Sequence, residues 1–242
     1  AVIFTWFVAS WVLLVFFATA AWQAVLAAMS LGLAIAAIGM SVQHDANHGA
    51  YSARPWLNRA LGFSLDAMGV CSFMWRQKHN VVHHTFTNVE GVDFDLDFGS
   101  MVRLSPGQPR KPWHRFQQYY LWLLYGFLLP KWVFYDDPVL FFTRRTGPHK
   151  LPRMSRTEIA LFWAWKAFFV AWSVVIPALF HPLWQVAVFH LVAAFTMGVT
   201  LSSVFQLAHC VEQAEFPVPP PEGEILNDDW AARRDAADAA RQ

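Results

Sequence analysis

From Val2 to Val42 the chain runs without a single charged side chain. About 20 apolar residues suffice for one helix to cross a bilayer, so this stretch is long enough for two. Its soft spots lie at Thr19 and Gln23, which predicts a tight hairpin turn there. Residues 158–179 and 183–208 repeat the pattern, two further apolar stretches of spanning length separated by the short Phe-His-Pro-Leu at 180–183. Between the two pairs the character changes. Residues 43–156 hold most of the basic side chains, and within them 56–75 and 116–135 are aromatic and apolar but interrupted by polar residues or by Gly126, Pro130 and Lys131. These two pieces are expected to lie in the interface or against the spans. The predicted architecture is an all-α membrane protein, with four transmembrane helices in two hairpins plus interfacial helices. One domain covers 1–216. A Pro-rich linker and polar tail follow over 217–242, the Ala/Asp/Arg part predicting a short soluble helix.

Composition agrees with a membrane environment. Of 242 residues 56% are hydrophobic and 17% aromatic, and only 14% are charged, against roughly 25% in an average soluble domain. The net charge of +1 excludes little by itself; its distribution is informative. The turns near 20–23 and 180–183 lack Lys and Arg, while the long middle section carries Arg54, Arg76, Lys78, Arg110, Lys111 and others. The middle section is therefore expected on the cytoplasmic side. Lys166, inside the third span, is expected to snorkel or to face the bundle interior. Cys71 and Cys210 stand far apart, which argues against a disulfide framework or a thiolate zinc site. No basic segment precedes the first apolar run, so it does not read as a signal peptide, and the sequence is expected to continue upstream.

Candidate chemistry begins where the second span ends. Gln43-His44-Asp45-Ala46-Asn47-His48 places two histidines four residues apart, on one face of a helix and near enough to share a metal. Alone this is a weak signal, and Asp45 stands where zinc proteases of the HExxH type carry glutamate. A second cluster strengthens it. Lys78-His79-Asn80-Val81-Val82-His83-His84 offers three more imidazoles at the same membrane face, after the aromatic Phe73-Met74-Trp75, expected to face lipid. At α-helical spacing His79 and His83 share a face and His84 points about 100° away from His83, which suits ligands for two neighbouring metals. Imidazole accepts zinc, copper, iron and nickel alike, so ligand type does not choose among them. His190, within the fourth span, reads as a core histidine.

The segments QHDANHGAYS (43–52) and WRQKHNVVHHTFTNVEG (75–91) resemble the boxes of the membrane fatty acid desaturase family, in its bacterial acyl-lipid branch. The resemblance extends over nearly the whole chain. It implies a non-haem enzyme with two iron ions that uses dioxygen to remove two hydrogens from an acyl chain. It implies His44, His48, His79, His83 and His84 as metal ligands, and His209, in FQLAHCVEQAEFP, as a sixth. Gln206, one turn earlier, is expected to hold a metal-bound water, and Asp45 to act behind the ligands. So are Glu90, Asp93, Asp95, Asp97, Glu212 and Glu215, although the acidic run 90–97 reads equally as a solvated loop. The electron donor would be a ferredoxin or cytochrome b5-type protein, the substrate an acyl lipid or thioester, and nucleic acid is not a partner. The location would be an integral membrane one, a bacterial inner membrane, with the metal on the cytoplasmic side. Arg76, Lys78, Arg110 and Lys111 are expected to serve topology, lipid headgroups or the donor's acidic face.

The sequence departs from the family in one respect. A third box, His or Gln followed by xxHH, belongs after the last span, yet EGEILNDDWAARRDAADAARQ (222–242) has no histidine. The chain is accordingly expected to be a fragment cut at both ends, with activity expected of the parent protein. Rival readings are a lipid hydroxylase or carotenoid ketolase of the same di-iron type, a zinc protease using Asp45, and a non-enzymatic membrane protein holding haem between paired histidines.

Overall fold

The computed structural model describes residues 1–93, 98–147, 149–209 and 214–217. Asp95, Asp97, Cys210, Glu212 and the tail from 218 onward, with its expected helix, lie outside the described residues.

Helices dominate. The first, α1 (Val2–Phe17), runs into a turn and returns as α2 (Ala21–Asn47). Gln23 makes that turn: its Oε1 accepts from the Thr19 and Ala20 backbone N–H groups at 2.9 and 3.0 Å and from the Thr19 hydroxyl at 3.0 Å. Gln23 thus satisfies the backbone donors of Thr19 and Ala20 immediately before α2. Short helices follow, α3 (Pro55–Gly62), α4 (Ser64–Ala67) and α5 (Ser72–Arg76), the last continuing as a π-helical turn over Gln77–His83. After a long irregular passage come a 3₁₀ turn (Pro112–Phe116), α6 (Gln117–Gly126), α7 (Leu128–Lys131) and α8 (Asp137–Thr143). A two-residue antiparallel pair, Arg145–Thr146 with His149–Lys150, is the one strand pairing among the described residues. Then α9 (Arg156–Ala178) starts on a capping box, Ser155 Oγ accepting from Glu158 N and Glu158 Oε2 from Ser155 N. Finally α10 covers Leu183–His209.

Three of these, α2, α9 and α10, are long and apolar enough to cross a membrane. Helix α1 is equally apolar but shorter, and it packs antiparallel on α2 through the Trp6 Nε1 to Ser30 Oγ and Ser10–Ser30 hydrogen bonds. Large side chains at the two outer turns face outward: Phe17 is 66% exposed, Trp22 65%, Leu179 74% and Trp184 64%. Such surface is costly in water and at home in lipid, with the tryptophans at interface level.

The core lies between α2 and α10. Ala28, Leu31, Ile35 and Ile38 meet Ala193, Ala194, Met197 and Leu201, and Leu65, Met68, Leu129 and Phe169 close the sides. Small residues permit the approach. A Cβ on Gly32 would fall on the Ala193 carbonyl oxygen and lie 2.9 Å from Thr196 Cβ. Gly32→Ala is therefore expected to lower stability by about 1–3 kcal/mol, seen as a reduced Tm in detergent.

Lys166 faces the interior. Its Nζ donates to Asp137 Oδ2 at 2.6 Å and to the Gly69 carbonyl, which fastens α9 to α8 and to the turn before α5. The Phe73-Met74-Trp75 segment does not face lipid: Met74 is 2% exposed, and Phe73 and Trp75 pack on the core clusters. The physical reason is local. Helix α5 is held end-on by buried carboxylates, so its aromatic face turns inward toward α2.

A candidate metal centre

Helix α2 delivers the first two histidines. Its last part widens into a π turn over Gly39–His44, and the helix stops immediately after His48. The stop is a Schellman arrangement. Gly49, at φ +75°, donates to Ala46 O at 3.0 Å and Ala50 donates to Asp45 O at 2.8 Å. Glycine suits this place because the left-handed conformation costs it nothing. The His44 and His48 rings end up 4.5 Å apart.

Helix α5 delivers the other three. Asp137 Oδ2 accepts from Cys71 N at 2.8 Å and Asp66 Oδ1 from Ser72 N at 3.1 Å, so two buried carboxylates receive the open N–H groups at its start. The helix then widens over Gln77–His83, and this changes the expected geometry. A turn closed by i→i+5 bonds brings residues i+4 and i+5 to either side of residue i. His84 accordingly does not point away. The His79 ring is 5.0 Å from His83 and 4.7 Å from His84, and His83 and His84 are 5.3 Å apart.

The two helices meet through their histidines. His48 lies 5.4 Å from His79 and 4.8 Å from His84, ring to ring. Ligand atoms of His44, His48 and His79 all fall within 4.8 Å of one another. His79 is thus common to two groups of three. Trp75 stacks on it at 4.4 Å and presents an edge to His44 and His48 at 5.9 Å.

Polar ties hold this arrangement. The Asn47 carboxamide oxygen accepts from Arg76 Nη1 at 2.9 Å and its backbone carbonyl from Asn80 Nδ2 at 2.9 Å. Its Nδ2 donates to Gln43 Oε1 and to the Gly62 carbonyl. One asparagine therefore couples both histidine segments and α3. Arg76, considered for lipid or donor contact from sequence, is committed to this tie. Asn47→Ala would strand buried donors and is expected to cost about 1–3 kcal/mol. A lower Tm together with weaker metal retention than wild type would register it.

Behind the rings, Asp93 grips His83. Its two oxygens lie 3.0 and 2.9 Å from Nδ1, both side chains are fully buried, and Oδ2 also accepts from Asn88 N. A carboxylate only accepts, so Nδ1 carries the proton and the lone pair is at Nε2, the usual arrangement behind a metal-bound histidine. Asp45 Oδ1 approaches His44 Nδ1 at 3.2 Å in a more exposed setting. Glu90 instead accepts from Gly107 N, and Glu215 is exposed. Gln206 sits half-buried one turn before His209; His209 is the last residue of α10, and its side chain lies outside the described ones. His114, His149, His181 and His190 lie apart. His114 bonds the Ser100 carbonyl, His149 stacks on Phe86, His181 bonds the Val15 carbonyl at the outer turn, and His190 packs on Phe169.

The donor set fits a metal. Among the described residues Nε2 of His48 is buried with no hydrogen-bond partner, the condition of a lone pair available to a metal ion. Burial and the neighbouring histidines lower the pKa of His48 and of His84 to about 4, so both rings are neutral at pH 7. In the metal-free protein the unfolded chain takes up protons first as pH falls below 6.5. Stability should therefore decline between pH 6.5 and about 4. Thermal unfolding across that range checks it, and a flat profile would contradict it.

Sequence reasoning missed Asn47, Asn80 and Trp75 as parts of the centre. Their signal was available: polar side chains one helical turn apart beside an apolar run need buried partners.

A family model described as "Fatty acid desaturase" matches residues 20–236. The sn-1 linoleoyl-lipid 6-desaturase of Arthrospira platensis is 35% identical over 233 residues, which are 96% of this chain and 62% of that protein. The enzyme of the same name from Synechocystis is 35% identical over 95% of this chain and 64% of its own length. An acyl-lipid (8-3)-desaturase of Physcomitrium patens is 35% identical over 93% of this chain and 47% of its own length. The chain thus spans less than two thirds of these curated relatives. No solved structure matches it.

Proposed function

The chain belongs to the fatty acid desaturase family, and from that premise we propose that it forms the membrane and metal-binding part of an acyl-lipid desaturase. The observation that carries this reading is the joining of five histidines from two separate segments into one cluster, with His79 shared between its two halves. Two iron ions are the cofactor proposed, with His44, His48, His79, His83, His84 and His209 as protein ligands. When bound they would supply dioxygen activation, with removal of two hydrogens from adjacent methylenes.

The protein's part is to hold and to shield. Asp93 fixes the His83 ring, Asp45 approaches His44, and the Asn47 ties set the separation of the two histidine segments. Gln206 is proposed to orient a water near His209. Trp75 covers one side of the rings and keeps bulk water from them. A cavity of about 600 Å³ opens beside Lys78, walled by Phe98, Tyr125, Leu128 and Val139, with Lys131 and Arg145 also lining it. Apolar walls with nearby cations suit an acyl chain that ends in a phosphate-bearing headgroup.

Four spans are proposed, α1 pairing with α2 and α9 with α10. The absence of Lys and Arg from both outer turns supports a cytoplasmic metal centre, and a bacterial inner membrane is the proposed site. The domain is taken as 1–216, with 217–242 as linker and tail. Electrons would come from a separate ferredoxin or cytochrome b5-type protein. Hydroxylase and ketolase readings share the metal chemistry, but the curated relatives are named desaturases, which favours the double bond. The same names leave the protease and haem readings without support. Gas chromatography of acyl lipids from cells expressing the complete gene product tests the proposal. A new, dioxygen-dependent double bond is the expected result; an oxygenated acyl product, or no product in iron-loaded protein with a donor, would contradict it.

A further inference from the structure

A second cavity, about 530 Å³, borders His48 and lies between α3, the start of α5 and the first turns of α9. Its lining includes His48 and Asn47, the arginines Arg59 and Arg76, and the carboxylates Asp66 and Glu158. Its lining thus joins an exposed side chain, Arg59, to His48, one of the candidate ligands. Asp66 stands apart from the rest of this lining. Its residue is 5% exposed, Oδ1 accepts from Ser72 N, and among the described residues Oδ2 has no hydrogen-bond partner. A buried carboxyl oxygen left without a donor in a polar cavity has water or a proton as its natural partner.

We propose that this cavity is the proton path to the histidine cluster, with Asp66 as its relay carboxyl. The inference rests on the desaturase reading, whose stoichiometry requires such a path. Dioxygen is reduced to two waters, a process that takes four electrons and four protons. The acyl chain gives up two hydrogens, hence two electrons and two protons, as its double bond forms. A one-electron donor protein supplies the remaining two electrons, and the remaining two protons come from solvent. Asp66 Oδ2 takes a proton from cavity water, passes one on to water beside His48, and ends unchanged.

The electrostatic setting suits the task. Burial raises the Asp66 pKa to about 6, with the Ser72 hydrogen bonds and Arg76 opposing and Asp137 assisting. Both protonation states are then accessible near neutral pH, which is where a relay works best. The other charged groups around it are Lys166, already paired with Asp137, and Glu158, Arg59 and His48 across the cavity. Cys71, beside Ser72, is pushed up to about 12 and stays a thiol.

Asp66→Asn separates relay from scaffold, because the amide oxygen still accepts from Ser72 N while the acid is gone. In metal-free protein, infrared titration should show a carboxylic C=O band disappearing with a midpoint near pH 6, present in wild type and missing from D66N. Hydroxyl-radical footprinting should oxidise Met154, which lines the cavity, well above the buried Met74. In the iron-loaded complete gene product D66N should lose at least about 10²-fold in kcat with KM unchanged. Wild-type kcat and pH profile in D66N would overturn the relay and leave the desaturase reading intact. No titrating band at Asp66, or labelling of Met154 no greater than of Met74, would also overturn it. A wild-type protein that forms no double bond would remove the desaturase reading and the relay together.

Discussion

Replacing His79 with alanine should abolish metal retention, because this one ring belongs to both halves of the cluster. It lies 5.4 Å from His48 on one side and 5.0 and 4.7 Å from His83 and His84 on the other. Loss of a residue behind a ligand typically costs 10–100-fold in metal affinity, so loss of a ligand at the centre of the cluster should exceed about 100-fold. Metal analysis after dialysis against a chelator measures it. The fold supplies matched controls: His149→Ala and His181→Ala alter histidines that the cluster does not use, and they should retain wild-type metal. Equal loss in all three variants would mean general instability. Retention in H79A would remove His79 from the centre.

The second large effect concerns stability. Asp137 is buried against Lys166 at 2.6 Å and also accepts from Cys71 N. Burial alone pushes the Asp137 carboxyl above its usual range, and the ammonium group beside it opposes that shift. Asp137→Ala would leave Lys166, largely buried, with the Gly69 carbonyl but without a counter-charge, a loss that reaches about 3–5 kcal/mol in fully buried sites. It would also free the start of α5, which carries three of the histidines. Thermal unfolding in detergent should show a large drop in Tm. Removing both charges with Asp137→Leu and Lys166→Met should recover much of it, since a well-packed apolar pair often equals a buried ion pair. A double variant as unstable as D137A would assign the effect to the Cys71 bond instead.

The sequence carries the helices and the histidine clusters openly, and the reasons are physical. Apolar runs of spanning length, broken by Thr19 and Gln23, have few other solutions than a hairpin, and those two residues do form its turn. The histidine positions were equally legible, since two clusters of imidazoles at one membrane face point to a metal where either alone is a weak signal. Their mutual geometry was not. Regular α-helical spacing turns His84 away from His83, whereas the π-helical turn over Gln77–His83 brings it back toward His48. A widened turn depends on neighbouring contacts and leaves no periodic signal. The partners of Lys166 and Arg76 were hidden for a similar reason. Asp137 and Asn47 lie 29 residues from them along the chain, and only the folded arrangement brings each pair together. Asp93 was one of seven carboxylates available from sequence, and only its burial beside His83 distinguishes it.

The measurement that bears most directly on the centre is metal identity and stoichiometry in the purified, detergent-solubilised protein, with His84→Ala alongside. The account predicts about two irons per chain in wild type and fewer in H84A, as expected when one imidazole ligand of a two-metal centre is removed. A single zinc unaffected by H84A, or a haem Soret band in place of non-haem iron, would contradict it.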